Sequence, residues 1–188
     1  GDGIGPEVVS VAVDAITALG VDVEWEAGLI GLSALDAHGT TLPECVLQSV
    51  RRNRVALKGP TSTPVGGGHV SVNVGLRRSL DLFANFRPIR NTPGVKARYS
   101  GVDLFIVREN TEGLYAGIEH TIIPGVVESL KIVTADASTR ISEFAFEFAR
   151  RRRRRKITAV HKANIMKLSD GLFLECSRKV AAKYPDIV

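Results

Sequence analysis

One stretch limits what this chain can fold into more than any other: residues 57–88, LKGPTSTPVGGGHVSVNVGLRRSLDLFANFRP. A short apolar run, Val55-Ala56-Leu57, breaks into a loop carrying Gly59, Pro60, Pro64 and Gly66-Gly67-Gly68. Thr61, Ser62 and Thr63 place hydroxyl groups in that loop, and Ser71 and Asn73 follow it closely. Val72, Leu76 and Leu80 then recur at helical spacing, which leaves Arg77 and Arg78 on or near the polar side. A second apolar run, residues 82–86, stops at Arg87-Pro88. Strand, hydroxyl- and glycine-rich loop, helix, then a strand ending in arginine: an α/β protein builds a cup for a small anion in this way. No Gly-Lys-Ser/Thr follows the glycines, so the loop is not of the Walker type.

The rest of the chain alternates in the same manner. GDGIGPE at residues 1–7 turns into a helix with Pro6 at its first positions; Val8, Val9, Ala12, Ala15, Ile16 and Leu19 form its apolar face, and Gly20 stops it. The three glycines do not make a dinucleotide fingerprint, because Pro6 stands where G-x-G-x-x-G needs otherwise. VDVEWE at 21–26 alternates strictly and predicts a strand. A helix is expected from Thr41 through Val50, and the strand 55–57 feeds the central loop. Residues 89–101, with Pro93, Gly94 and Gly101, read as a linker at a domain boundary. Strand 102–107 leads into RENTEGLY at 108–115, followed by extended arms at 117–120 and 126–134. A helix from Asp136 or Ser138 buries Ile141, Phe144, Ala145 and Phe148 and ends in arginines. Strand 157–160 delivers His161-Lys162-Ala163-Asn164, and Ser169 is expected to cap a last helix burying Leu172, Phe173, Cys176 and Val180. His38 and Cys45 have no partner at a ligand spacing and read as structural. Strands alternating with helices indicate an α/β chain of two lobes.

Composition narrows the function classes. No apolar stretch approaches the length that spans a bilayer and no signal-peptide pattern is present, so no membrane role is expected. Cys45 and Cys176 give neither a disulfide framework nor a zinc spacing, which favours a reducing compartment. The net charge of +5 is a local feature, since residues 150–156 are seven consecutive cations. With no aromatic residues interleaved, this run reads as the exposed C-terminal end of a helix rather than a nucleic-acid site.

The segment from Lys58 to Arg87, together with R-E-N-T-E-G-x-Y and H-K-x-N, closely resembles the β-decarboxylating dehydrogenases, the family of isocitrate and isopropylmalate dehydrogenases. The resemblance covers essentially all 188 residues. Ser71-Val72-Asn73 followed by Arg77 is similar to the isocitrate branch, and the whole segment is most similar to the NAD-dependent type. It implies a two-lobed isocitrate/isopropylmalate dehydrogenase-like α/β fold of which this chain is the front and middle. Residues 1–90 would be the front of the large cofactor and substrate domain, and 91–188 an incomplete small domain with a dimer-forming arm. The chain is expected to be truncated at both ends and inactive alone.

Chemistry follows from the same segments. Arg77, Arg87 and Arg108 each suit a solvated strand end; jointly they suit a substrate with several carboxylates, because a planar guanidinium grips a carboxylate with two parallel hydrogen bonds. Ser71 and Asn73 would bond the carboxylate arm that distinguishes isocitrate from isopropylmalate. The resemblance implies Tyr115 as the acid and Lys162 as the base of an oxidative decarboxylation. Lys162 and Asn164 would reach the partner's site in a homodimer or higher homo-oligomer. It further implies NAD beside Ile4, Thr63 and Asn164, with Thr63 also toward substrate. The Mg²⁺ or Mn²⁺ that polarises the ketone would have ligands beyond residue 188 and none in this chain. A bacterial member would be cytoplasmic and a eukaryotic one would lie in the mitochondrial matrix. Homoisocitrate, tartrate and isopropylmalate dehydrogenases are the alternatives among enzymes; a non-catalytic regulatory subunit is the alternative from another class.

The arginine run yields the first prediction. Heparin chromatography across a salt series should give the same elution for the wild type and for a version with the run changed from Arg to Ser. Tight, salt-dependent retention lost in the variant would instead identify an anionic polymer as a partner.

Overall fold

The computed structural model describes residues 1–62 and 71–188. They form two compact units, Gly1–Asp81 and Leu82–Val188.

The first unit is built on close backbone approach. Helix α1 (Gly5–Ala18) starts with Pro6 in its first turn and ends at Leu19 and Gly20, the latter at φ 71°. Its N-terminus lies against the loop that follows residue 57: Gly5 would drive a Cβ into the Pro60 carbonyl at 2.7 Å, and a Cβ on Gly59 would meet Val9 Cγ2 at 2.6 Å. The glycines serve this packing. Helices α2 (Leu32–His38), α3 (Glu44–Asn53) and α4 (Val72–Ser79) complete the unit. Asp2 ties the pieces together from a buried position: Oδ1 accepts the Ser62 N–H and Oδ2 accepts the Leu32 N–H at 2.7 Å. These amide bonds hold the Asp2 carboxyl below the usual carboxylate range.

Several expectations for this unit change. Residues 21–26 and 55–57 enter no ladder among the described residues, and Val55 is 82% exposed. Alternation marks a segment that can be a strand, but only a neighbour supplies the hydrogen bonds that make it one. Helix α3 begins at Glu44 rather than Thr41, because Pro43 is extended at the N-cap position. On α1, Val9, Ala12, Val13 and Ile16 are partly covered, whereas Val8, Ala15 and Leu19 are exposed.

In the second unit, strands β1 (Ala84–Arg90) and β2 (Asp103–Glu109) pair antiparallel with Phe86 opposite Val107 and Asn85 opposite Arg108. The expected linker therefore connects two strands of one ribbon. Strands β3 (Gly113–Ile123) and β4 (Val126–Ile132) form a second antiparallel pair, an arm with much apolar side chain exposed, including Ile122, Ile123 and Val127. Helix α5 (Ala135–Arg151) is capped by Thr134, whose Oγ1 accepts the Ala137 N–H at 3.2 Å. Helix α6 (Ser169–Ala181) has Leu168 at its N-cap position and no side-chain cap, so Ser169 is the first helical residue and not the cap.

Helix α5 uses two faces. Phe148 meets Phe86 and Phe105 of the ribbon at ring-centroid distances of 4.5 and 4.9 Å. On the other side Phe146 and Ala149 join Val180, Tyr184 and Ile187 in a buried cluster, and Ser142 bonds Ser177 of α6 at 3.0 Å. The arginine run follows as helix end and clamp. Arg150 pairs with Asp186 and stacks on Tyr184, while Arg154 pairs with Asp103 and stacks on Phe105. Residues 157–160, expected as a buried strand, form none among the described residues, and Val160 is 88% exposed.

Asp2 carries the stability prediction for the first unit. Asp2→Ala strands two amide donors, at a cost of about 1–3 kcal/mol each if they stay buried. Because the folded carboxyl titrates below its unfolded value, the stabilisation is present above about pH 4 and fades as pH falls further. Melting curves should show the variant well below wild type at pH 7, with the gap closing towards pH 2.

Candidate active site

In the first unit, helix spacing arranges the predicted anion ligands. Asn73 and Arg77 are four residues apart on α4 and share a face, with Val72 buried and Leu76 partly buried beneath. Ser71 occupies the N-cap position, but its hydroxyl makes no cap bond to the helix. Thr63 lies outside the described residues. Lys58, given no role by the sequence, stands close enough for Arg77 to act on it: partial burial first, then the Arg77 guanidinium, hold its ammonium below the ordinary lysine range. Two cations kept near each other, with a hydroxyl and an amide on the adjoining helix, form a surface suited to an anion. Ile4, beside the α1 N-terminus, is 65% exposed.

In the second unit, strand register sorts the ribbon into two chemistries. Residues directly opposite share a side, so Phe86, Pro88, Phe105 and Val107 form one face and Asn85, Arg87, Ile106 and Arg108 the other. The aromatic face packs on α5, which turns Arg87 and Arg108 to the opposite side. Arg87 Nε donates to Asn85 Oδ1 at 2.9 Å, and Arg108 Nη2 donates to the buried Asn110 Oδ1 at 3.1 Å. The Arg108 guanidinium carbon sits 5.4 Å from the centroid of the Tyr115 ring. Its Nε is buried and has no acceptor among the described residues.

The loop between β2 and β3 is wrapped on carboxylates. Glu109 accepts the N–H groups of Thr111 and Glu112, and Glu112 accepts the N–H and Oγ1–H of Thr134 at 2.9 and 2.6 Å. These acids hold main chain. Tyr115 falls in the irregular stretch of the β3–β4 ladder between Gly113 and Ile118, a bulge that re-aims its side chain. Arg108 and Tyr115 line a cavity of about 520 Å³ together with Lys131, His161 and Asp170. That volume suits a small-molecule ligand.

Lys162 and Asn164 sit on an exposed turn and do not line this cavity. The residues that the sequence left unassigned are Asn85, Lys131 and Asp170, positioned by pairing or packing rather than by a motif, and Asn110, which lies inside RENTEGLY. No group of three or more His, Cys, Asp or Glu among the described residues could hold a metal ion, so a divalent ion finds no ligand set among them. No helix among the described residues is long and apolar enough to cross a membrane.

The chain is 51% identical, over its whole length, to the mitochondrial NAD isocitrate dehydrogenase catalytic subunit 5 of Arabidopsis thaliana, and covers 50% of that protein. It is equally 51% identical to the mitochondrial NAD isocitrate dehydrogenase regulatory subunit 1 of the same plant, again covering 50%. The chain thus spans about half the length of the curated relatives it matches. The crystal structure of isocitrate dehydrogenase from Methylococcus capsulatus superposes with a TM-score of 0.94 at 52% identity, over all of this chain and 56% of that one. The family model for isocitrate/isopropylmalate dehydrogenase matches residues 1–188. By sequence and by fold the chain belongs to the isocitrate/isopropylmalate dehydrogenase family, and its fold is part of that family's fold.

Proposed function

We propose that the intact protein oxidises and decarboxylates isocitrate to 2-oxoglutarate with NAD. The observation that carries the reading is Arg108: a guanidinium in a cavity, backed by Asn110 and Tyr115, with a buried Nε–H that has no acceptor among the described residues. A buried donor is costly to leave unmade, and a substrate carboxylate supplies the acceptor. Arg87 on the same ribbon face offers a second guanidinium; the family resemblance, rather than any measured distance, adds Ser71, Asn73 and Arg77 as further ligands. Each charge-assisted contact is worth about 1.5–3 kcal/mol, enough jointly to orient a tricarboxylate.

NAD, when bound, supplies the hydride acceptor. This chain's residues move the protons. The Lys162 amine takes the proton of the substrate hydroxyl as hydride leaves the carbon that bears it. After carbon dioxide departs, the Tyr115 hydroxyl returns a proton to the carbon of the enol. A lysine serves as a base where burial and neighbouring cations favour its neutral form. Lys162 is exposed in this chain, so its burial would come from the partner subunit's site. The apolar arm of β3 and β4 supports a dimer that brings the two together. The presence of both Tyr115 and Lys162 favours a catalytic over a regulatory subunit, although a regulatory relative is equally similar.

Two measurements on the intact protein test this. Lys162→Met should lower turnover of isocitrate by at least about a thousandfold, in the range of a lost proton-transfer group, while isocitrate binding stays measurable by calorimetry. A near-normal rate refutes the assignment. Ser71→Leu should weaken isocitrate about tenfold or more, the worth of one charge-assisted hydrogen bond. A panel including isopropylmalate, homoisocitrate and tartrate reads whether that loss is selective. For the arm, Ile122→Glu with Val127→Glu should shift sedimentation from dimer towards monomer at micromolar concentration; an unchanged dimer rules the arm out as the contact.

A further inference from the structure

Asp170 is the second residue of α6 and is 6% exposed, yet the chemistry above leaves it without a task. Its Oδ1 takes the ammonium of Lys131, which reaches over from β4. Its Oδ2 accepts the backbone N–H of Lys162 at 2.7 Å. The Lys162 carbonyl is occupied too, accepting the N–H groups of Ile165 at 3.0 Å and Met166 at 2.8 Å. The Met166 carbonyl in turn accepts the Asp170 N–H at 3.1 Å, and Lys131 Nζ lies 3.9 Å from Met166 Sδ. Both polar main-chain groups of Lys162 are thereby tied to the start of α6, while the residue itself remains exposed.

A carboxylate is a costly choice for this post. Burial penalises its charge unless it is both paired and hydrogen-bonded, and a neutral side chain could accept one amide proton as well. The charge permits something a neutral acceptor does not: one group holds the lysine of β4 and the amide of the Lys162 turn at once, so strand, turn and helix are locked by a single side chain. The turn 162–166 cannot swing without breaking the hydrogen bond from the Lys162 N–H to Asp170 Oδ2.

We propose that Asp170, neutralised by Lys131, is a positioning residue that fixes the main chain of Lys162 and so the direction in which its amine projects. The inference rests on the reading of Lys162 as the proton-transfer base, and the experiment separates the two. In the intact protein, assayed with isocitrate, NAD and a divalent cation, Asp170→Ala lowers kcat about 100-fold, the size of effect that a misplacement near 1 Å produces. The KM for isocitrate moves by less than about threefold, because binding lies with the arginines rather than with this turn. Asp170→Asn keeps an acceptor for the Lys162 N–H but loses the pair with Lys131, and lowers kcat less than Asp170→Ala, by about tenfold. A merely structural Asp170 would lower the yield of folded protein and leave kcat per active site unchanged. An inactive Lys162→Met beside an Asp170→Ala of normal kcat overturns the positioning role alone; a normal Lys162→Met overturns the base. Should Asp170→Ala fail to fold, amide hydrogen exchange on the wild type decides the matter. A protected Lys162 N–H supports the proposal, and one exchanging as fast as an unstructured chain overturns it.

Discussion

Everything in the second unit depends on the aromatic contact between the β1–β2 ribbon and α5. Phe86 and Phe105 stack at 5.3 Å and Phe148 of α5 closes over both. Such ring pairs add about 0.5–1.5 kcal/mol each beyond the area they bury. Their larger effect is directional. Side chains alternate along a strand with period two, so pinning the phenylalanines inward turns Asn85, Arg87 and Arg108 to the other side. A one-residue slip of register would bury the guanidiniums and expose the rings. The hydrophobic contact and the anion-binding face are two consequences of one pairing.

A division of labour among the charged residues follows. The acids hold backbone: Glu109 gathers the amides of the loop before Tyr115, Glu112 takes the amide of Thr134 at the start of α5, Asp170 holds the amide of Lys162, and Asp2 joins two segments of the first unit. This arrangement suits an anionic substrate, since carboxylates consumed by amide N–H groups and by Lys131 do not repel it. Arg150 and Arg154 show the same logic in reverse, their guanidiniums taken up by Asp186, Asp103 and two aromatic rings.

Much of this is legible in the chain order, for identifiable reasons. RENTEGLY announces its loop because Gly113, at φ 71°, permits the turn and Glu109 can reach the amides two and three residues on. The two faces of α5 are half visible: Ile141, Phe144, Ala145 and Phe148 stand at helical spacing, whereas Ser138 and Ser142 look polar and are buried. Asn85 and Arg108 are partners only across a ladder, and Lys131 and Asp170 are 39 residues apart. Nothing local marks such pairs.

The sequence by itself determined which segments could be helices, where glycine and proline must stop them, and which side chains can bind carboxylate or move a proton. Those are properties of single residues and of their near neighbours. Tertiary structure alone decided which alternating segments became strands: residues 84–90 found a partner, while 21–26, 55–57 and 157–160 have none among the described residues. It alone decided which acids hold amides rather than face a ligand. A ladder and a buried ion pair each need two segments brought together through space, and the chain order of amino acids states that meeting nowhere.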